Sequence, residues 1–525
     1  MFRPARRRAG TTMLLTLMLI ASAIAAPLAA GRQPADTRAA GVDIDSLTIP
    51  ELQELMDSNR LSSVVLTNFY LQRIRSLNPA LNAVITLNPA ARAEARAADR
   101  ARRNGDDRPL LGIPIIVKDN INTSGMPTTA GSWSLAGSTP GDAALITQLK
   151  SAGAIILGKA NLSEWANFRS IPSSSGWSGI GGQTNMPYVL DRNPCGSSSG
   201  SAVAVAASLA VAAVGTETDG SIVCPSGANA VVGIKPTVGL VSGEGVIPIS
   251  ANQDTAGPMA RNVTDAAVLL AAMSEDQSDS YLASLDSSAL VGTTIGLWRD
   301  GTYSFDGTVV DADVAAIMDA TVASLEAAGA EVVDVDVEIE AAYGPEFDAL
   351  LCEFDSDLPS YLDTYTGPGY PKTLEDVIAF NEANPDLEGP WNSEIFELAA
   401  ATGGRDEACA AVRAEADSIA QAALSAALGG VDAIIAPTNG PAWVTDPVNG
   451  DLGGDFSTFI GSSAPSAITG WANVTVPAGF VDGHLPIGVS FIGGQWDDAN
   501  LIGLAYAFEQ ATQVRVPPSY LPTLP

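Results

Sequence analysis

Histidine is almost missing from this chain of 525 residues; there is one, His484. A Ser-His-Asp hydrolase needs an imidazole to take the proton of its serine, and His484 sits in the turn "DGHLP", where it reads as a turn residue. With one histidine and no clustered cysteines, a zinc site of the usual type is excluded. No "GxxxxGK[ST]" loop is present to cradle phosphates, and no nucleophile elbow stands at a strand-to-helix turn. Lysine is scarce too. Only Lys118, Lys150, Lys159, Lys235 and Lys372 occur among 27 basic residues, so a catalytic lysine has few candidates. Positive charge is outweighed throughout, with a net charge of −32. Such a surface is repelled by nucleic acid and by anionic membranes. Aromatics make up 6% of the chain, so alanine, valine, leucine and glycine must build most of the core. After the first thirty residues no apolar run is long enough to span a bilayer.

What is present begins with an export signal. "RPARRR" is a basic leader, "MLLTLMLIASAIAA" an apolar stretch, and small residues suited to cleavage follow near positions 25–30. Residues 1–30 are therefore expected to be removed, leaving a secreted or periplasmic protein with no membrane attachment. Residues 31–44 read as a polar spacer and 45–525 as a single domain. An oxidising compartment permits disulfides among the four cysteines. Cys352 could pair with Cys409, and Cys195 with Cys224 if the two turns they flank meet; isolated buried thiols are the alternative.

Helical and strand patterns alternate along the domain. "PLLGIPIIVKDNI" is a continuous apolar run, as expected of a strand buried on both faces. "DAALITQLKSAGAIILGKANLSEW" and "AAIMDATVASLEAAGAEVVDVDV" each read as helix, glycine break, strand. "DAIIAPT", "NVTVPAGF" and "PIGVSFIG" read as further strands, and "DANLIGLAYAFEQAT" as a closing helix. The pattern predicts an α/β fold, a large mixed sheet with helices on both faces. A looser stretch, about 338–406, reads as an insertion or lid over a site.

Two serine-rich turns stand close together in "DRNPCGSSSGSAVAVAASLAVAAVGTETDGSIVCP". Serine is a poor nucleophile without a neighbouring base. Lys118 ends the buried strand "GIPIIVKD", where loss of water disfavours the ammonium form. Holding a lysine neutral at pH 7 costs roughly 4–5 kcal/mol, within reach of full burial. Asp119 follows it directly, but successive strand side chains point to opposite faces, so it can avoid pairing with Lys118.

These residues resemble the amidase-signature hydrolases. The likeness runs from "LTIPELQELM" to "LAYAFEQAT" and is densest in "LLGIPIIVKDNINTSGMPTTAGS", "GKANLSEW", the serine turns and "GIKPTVGLVSGEGVIPISANQDTAGPMAR". Within the family the chain most resembles the bacterial peptide amidases, which remove the C-terminal amide of peptides. The resemblance implies a catalytic triad of Lys118 as base, Ser197 preceded by a cis peptide bond at Gly196, and Ser221 as nucleophile. It implies an oxyanion hole of the backbone N–H groups of Thr218, Asp219, Gly220 and Ser221. Ser198 is expected to support the network, while Ser199, Ser201, Asp254 and Arg261 serve structure. The chain departs from the commoner "GGSIR" pattern, with Asp219 at the first glycine and Val223 in place of arginine. The Asp219 side chain is expected to point away from the oxyanion. No cofactor and no metal are expected. The partner is a small-molecule or peptide amide, and the assembly a monomer or homodimer. Three other functions fit the scaffold: a broader aryl or acyl amidase, a glutaminase subunit of a tRNA-dependent amidotransferase, and an inactive binding protein.

Overall fold

Pro114, Ile115, Ile116, Val117 and Lys118 form a strand whose five residues are all buried. A strand covered on both faces cannot alternate polar with apolar side chains, which is why this run is continuous. The computed structural model describes residues 37–274, 278–299, 311–453 and 462–525. The expected export signal, residues 1–30, and the first part of the expected spacer lie outside them.

Among the described residues the sheet has eleven strands. From one edge to the other they are Glu331–Asp334, Thr294–Leu297, Ala433–Pro437, Leu485–Ile492, Asn473–Val481, Val232–Lys235, Thr255–Ala260, Ala212–Glu217, Pro114–Lys118, Ile155–Ala160 and Val84–Leu87. The sheet is mixed. Pro114–Lys118 runs parallel to both neighbours, whereas Ala212–Glu217 is antiparallel to Thr255–Ala260. The strand expectations at 114–118, 155–160, 433–437, 473–481 and 485–492 hold. Ala212–Glu217 and Thr255–Ala260, which hide inside glycine- and alanine-rich sequence, are central strands that periodicity does not reveal.

Helices cover both faces. Ala212 and Val214 join the main core with Val263–Met273 and Asp498–Thr512. Ala213, between them, turns to a second cluster with Ala202, Val205, Ile222 and Met259. The period of two thus sends neighbouring alanines to opposite sides of the sheet. The helix–glycine–strand units form as expected: Ala144–Ser151 and Ala312–Ala327 each end before a glycine with positive φ, Gly153 at +98° and Gly329 at +101°.

Two segments differ from their sequence reading. Part of the spacer is ordered: Arg38–Ala39 pairs with Val42–Asp43, and Ile44 is buried in the main core. The stretch 338–406 is not loose. It forms helices Tyr343–Tyr365, Leu374–Ala383, Pro385–Glu388 and Glu394–Ala400. Leu350, Phe354, Leu358, Val377 and Phe396 make a core of their own there, packed on Trp165 and Phe168.

Candidate active site

Three neighbouring parts of the sheet converge. Lys118 is the last residue of its strand. Ala212–Glu217, the parallel neighbour, leads directly into the loop that carries Ser221. The turn ending in Ser197 precedes helix Ser199–Ala206, whose N-terminus, with its positive end, faces the same point. The Gly196–Ser197 peptide bond is cis.

The Lys118 Nζ lies 2.7 Å from Ser197 Oγ, and Ser197 Oγ lies 2.9 Å from Ser221 Oγ. Lys118 and Ser197 are 0% exposed and Ser221 7%. Only the last of the three therefore presents any surface to an incoming molecule. Burial pushes the Lys118 amine down to about 7, against the weaker opposing pull of Asp254 and Glu217. Asp119 does not pair with Lys118. It faces the other way, 3.4 Å from the buried Lys159.

The amine is held by a residue that sequence reasoning did not single out. Lys118 Nζ donates to Thr216 O at 3.1 Å and to Thr216 Oγ1 at 2.9 Å. Asn120 Nδ2 donates to the same hydroxyl at 2.9 Å. Ser198 Oγ donates to Thr216 O and accepts from Thr216 N–H. It supports the network through the strand rather than by touching either hydroxyl of the pair. Ser199 donates to Cys195 O and Ser201 to Val214 O, both structural roles. The signal for Thr216 was its place in "GTETDGS", on the strand beside the lysine, but that strand was itself not legible.

The loop after Glu217 is shaped by buried carboxylates. Glu217 Oε2 accepts from the N–H groups of Ile222 and Val223. Gly220 takes φ +73°, a left-handed turn that favours glycine. Among the described residues the N–H groups of Asp219 and Ser221 have no acceptor. Donors of that kind beside a nucleophile can receive a developing oxyanion. Asp254 accepts from Thr218 Oγ1 at 2.5 Å and from the N–H groups of Ile249 and Ser250. Burial raises it to about 7. Gln253 Nε2 donates to Thr218 O at 3.0 Å and to Glu346 on the helical segment. The Asp219 carboxyl lies beside the Ser463 hydroxyl, and burial raises it to about 6. Arg261 donates to Ala210 O and pairs with Asp45, outside the site. His484 closes the turn between two strands by donating its N–H to Val481 O, and plays no part in the network.

All four cysteines are paired. Cys195 joins Cys224 with a Cα separation of 6.1 Å, and Cys352 joins Cys409 at 6.0 Å. Behind the site Ser163 N–H donates to Ser197 O at 3.1 Å. Three consecutive residues that follow, Trp165, Ala166 and Asn167, have positive φ of 50°, 56° and 73°. No sequence signal marked that turn, because none of the three is a glycine.

A buried amine within reach of two hydroxyls, beside free backbone N–H groups, can activate an oxygen nucleophile against a carbonyl carbon. Comparison with known proteins defines the class. The model of the Amidase family matches residues 65–502, and the chain belongs to that family as an amide-hydrolysing enzyme. The native peptide amidase of Stenotrophomonas maltophilia is 45% identical, with TM-score 0.83, and the match covers 90% of this chain and 99% of that one. A probable amidase of Arabidopsis thaliana is 38% identical over 505 residues, covering 91% of this chain and 92% of its own. A glutamyl-tRNA(Gln) amidotransferase subunit from Acinetobacter baumannii is 32% identical over 497 residues, covering 90% of this chain and 97% of that one.

Proposed function

We propose that the protein is an exported serine amidase that releases ammonia from the C-terminal amide of peptides. The observation that carries this reading is the chain Lys118 Nζ–Ser197 Oγ–Ser221 Oγ, with links of 2.7 and 2.9 Å and its amine fully buried. Neutral Lys118 accepts the proton of Ser197 while Ser197 accepts that of Ser221. Ser221 attacks the amide carbon and forms a tetrahedral oxyanion received by the free N–H groups of Asp219 and Ser221. Ser197 returns a proton to the leaving nitrogen, ammonia departs, and Ser221 is left acylated. Water then repeats the relay and frees the acid. The likeness to a peptide amidase over 99% of that chain supports the substrate class. The export signal read in residues 1–30 is in keeping with work outside the cytoplasm on peptides already made.

The test is ammonia release from a panel of amidated peptides, unblocked peptides, free amino-acid amides, aryl amides and glutamine. Amidated peptides should give the highest kcat/KM. A preference for aryl amides would make the enzyme a broader acyl amidase. A preference for glutamine would point to the glutaminase function of an amidotransferase component.

A further inference from the structure

The cysteine pair beside the serines does more than close a loop. Ser197 is two residues after Cys195, and Ser221 is three before Cys224. The disulfide thus closes a ring that contains both hydroxyls, the helix Ser199–Ala206, the strand Ala212–Glu217 and the free N–H groups. Among the described residues the two turns are also linked by Ser198 N–H donating to Ser221 O at 3.1 Å, by the 2.9 Å contact of the hydroxyls themselves, and through Asn229, whose Nδ2 donates to both Pro194 O and Pro225 O. Cys224 N–H donates to Gly220 O at 2.8 Å, so movement of Cys224 is passed straight to the loop before the nucleophile. Cys195 N–H donates to Asn193 Oδ1, and Cys195 O accepts from Ser199, so the other sulfur is fixed to the turn of Ser197. Both cysteines are 2% exposed, packed with Met186, Tyr188 and Trp443. A hydroxyl relay tolerates little displacement, because hydrogen bonds weaken steeply with length and angle, and an ångström of misplacement can cost about a hundredfold in rate.

We propose that the Cys195–Cys224 bond is a positioning clamp that sets the distance between Ser197 Oγ and Ser221 Oγ, making the amidase active when oxidised and weak when reduced. The inference rests on the roles given above to those two serines. The bond forms when two thiols pass two electrons and two protons to a disulfide-bonded oxidant, which leaves as two thiols. A chain still in a reducing compartment is accordingly held nearly silent, and oxidation after export switches it on.

The test uses the full chain carrying Cys352→Ser and Cys409→Ser, so that one disulfide remains. A fluorophosphonate first identifies the labelled serine in the oxidised enzyme; failure to label Ser221 refutes the assignment of the nucleophile and leaves the clamp aside. The enzyme is then treated with a water-soluble phosphine, which takes an oxygen from water as two thiols are released. The expected result is a fall in kcat of about 10- to 100-fold in step with thiol release. KM should stay within about twofold and near-ultraviolet circular dichroism should be retained, with recovery on reoxidation. The Cys195→Ala/Cys224→Ala variant should lose kcat to the same extent. Unchanged kcat per labelled site in either form overturns the clamp. So does loss of activity only together with loss of the folded spectrum, since that is a purely structural role.

Discussion

At the scale of single residues, the proposed relay turns on the protonation of Lys118. Its burial depresses the amine from 10.5 to about 7, so kcat/KM should rise with pH through about 7 and then level off. A profile without that limb would remove the lysine as base. Lys118→Ala and Ser197→Ala should each lower kcat/KM by at least about a thousandfold, and the double variant by little more, because members of one relay are not additive. The same shift has a consequence for stability. Between about 7 and 10.5 the unfolded lysine holds a proton that the folded one has lost, so stability rises with pH across that window. The penalty for burying the amine is present in full below about 7 and fades toward 10.5. Lys118→Met, which cannot titrate, should therefore lie above the wild type in unfolding free energy at pH 7 by a margin that narrows by pH 10. Denaturant titrations at both values measure it; a constant margin would mean that the amine keeps its ordinary pKa. Among residues, Lys118, Ser197 and Ser221, which the structure brings together, stand out in the sequence because the motifs around them are short, specific runs. Thr216 and Asn120 do not, because a threonine and an asparagine beside a strand are commonplace until the strand's neighbour is known.

At the scale of elements, the helical segment Tyr343–Ala400 is where sequence and structure part most. Its prolines and scattered aromatics read as a loose insertion. In the structure its apolar side chains find a core in one another and in Trp165 and Phe168. That core depends on contacts across more than 170 residues of sequence, which no local pattern encodes. The segment is fastened as well as packed. Glu353 takes Arg413 through both carboxylate oxygens, at 3.0 and 2.7 Å. Cys352 of the first helix is bonded to Cys409 of helix Glu407–Ala427, across a sequence separation of 57. Closing a loop of that size contributes about 4 kcal/mol in the chain-entropy account. Cys352→Ser/Cys409→Ser should lose about that much in guanidinium unfolding, and a loss below about 1 kcal/mol would show that the packing alone holds the segment.

At the scale of the whole molecule, charge is the dominant property. A net charge of −32 makes the folded state repel itself. Salt shortens the reach of that repulsion from about 10 Å at 0.1 M to about 3 Å at 1 M. Thermal unfolding should therefore move to higher temperature as sodium chloride rises from ~0.02 to ~0.5 M. A melting temperature that falls over this range would show that specific ion pairs outweigh the net repulsion.

The division between what the chain alone specifies and what folding adds follows the range of the forces involved. Strand and helix periodicity, glycine breaks, the buried character of "GIPIIVKD" and the chemistry of the serine turns are local, and each was readable within a few tens of residues. The meeting of Lys118 with two serines, the ring closed by Cys195 and Cys224, and the pinning of Thr218 by Asp254 and Gln253 were decided by tertiary structure. Each joins residues from separate strands or loops, and only the order of strands in the sheet brings them within hydrogen-bonding or bonding distance.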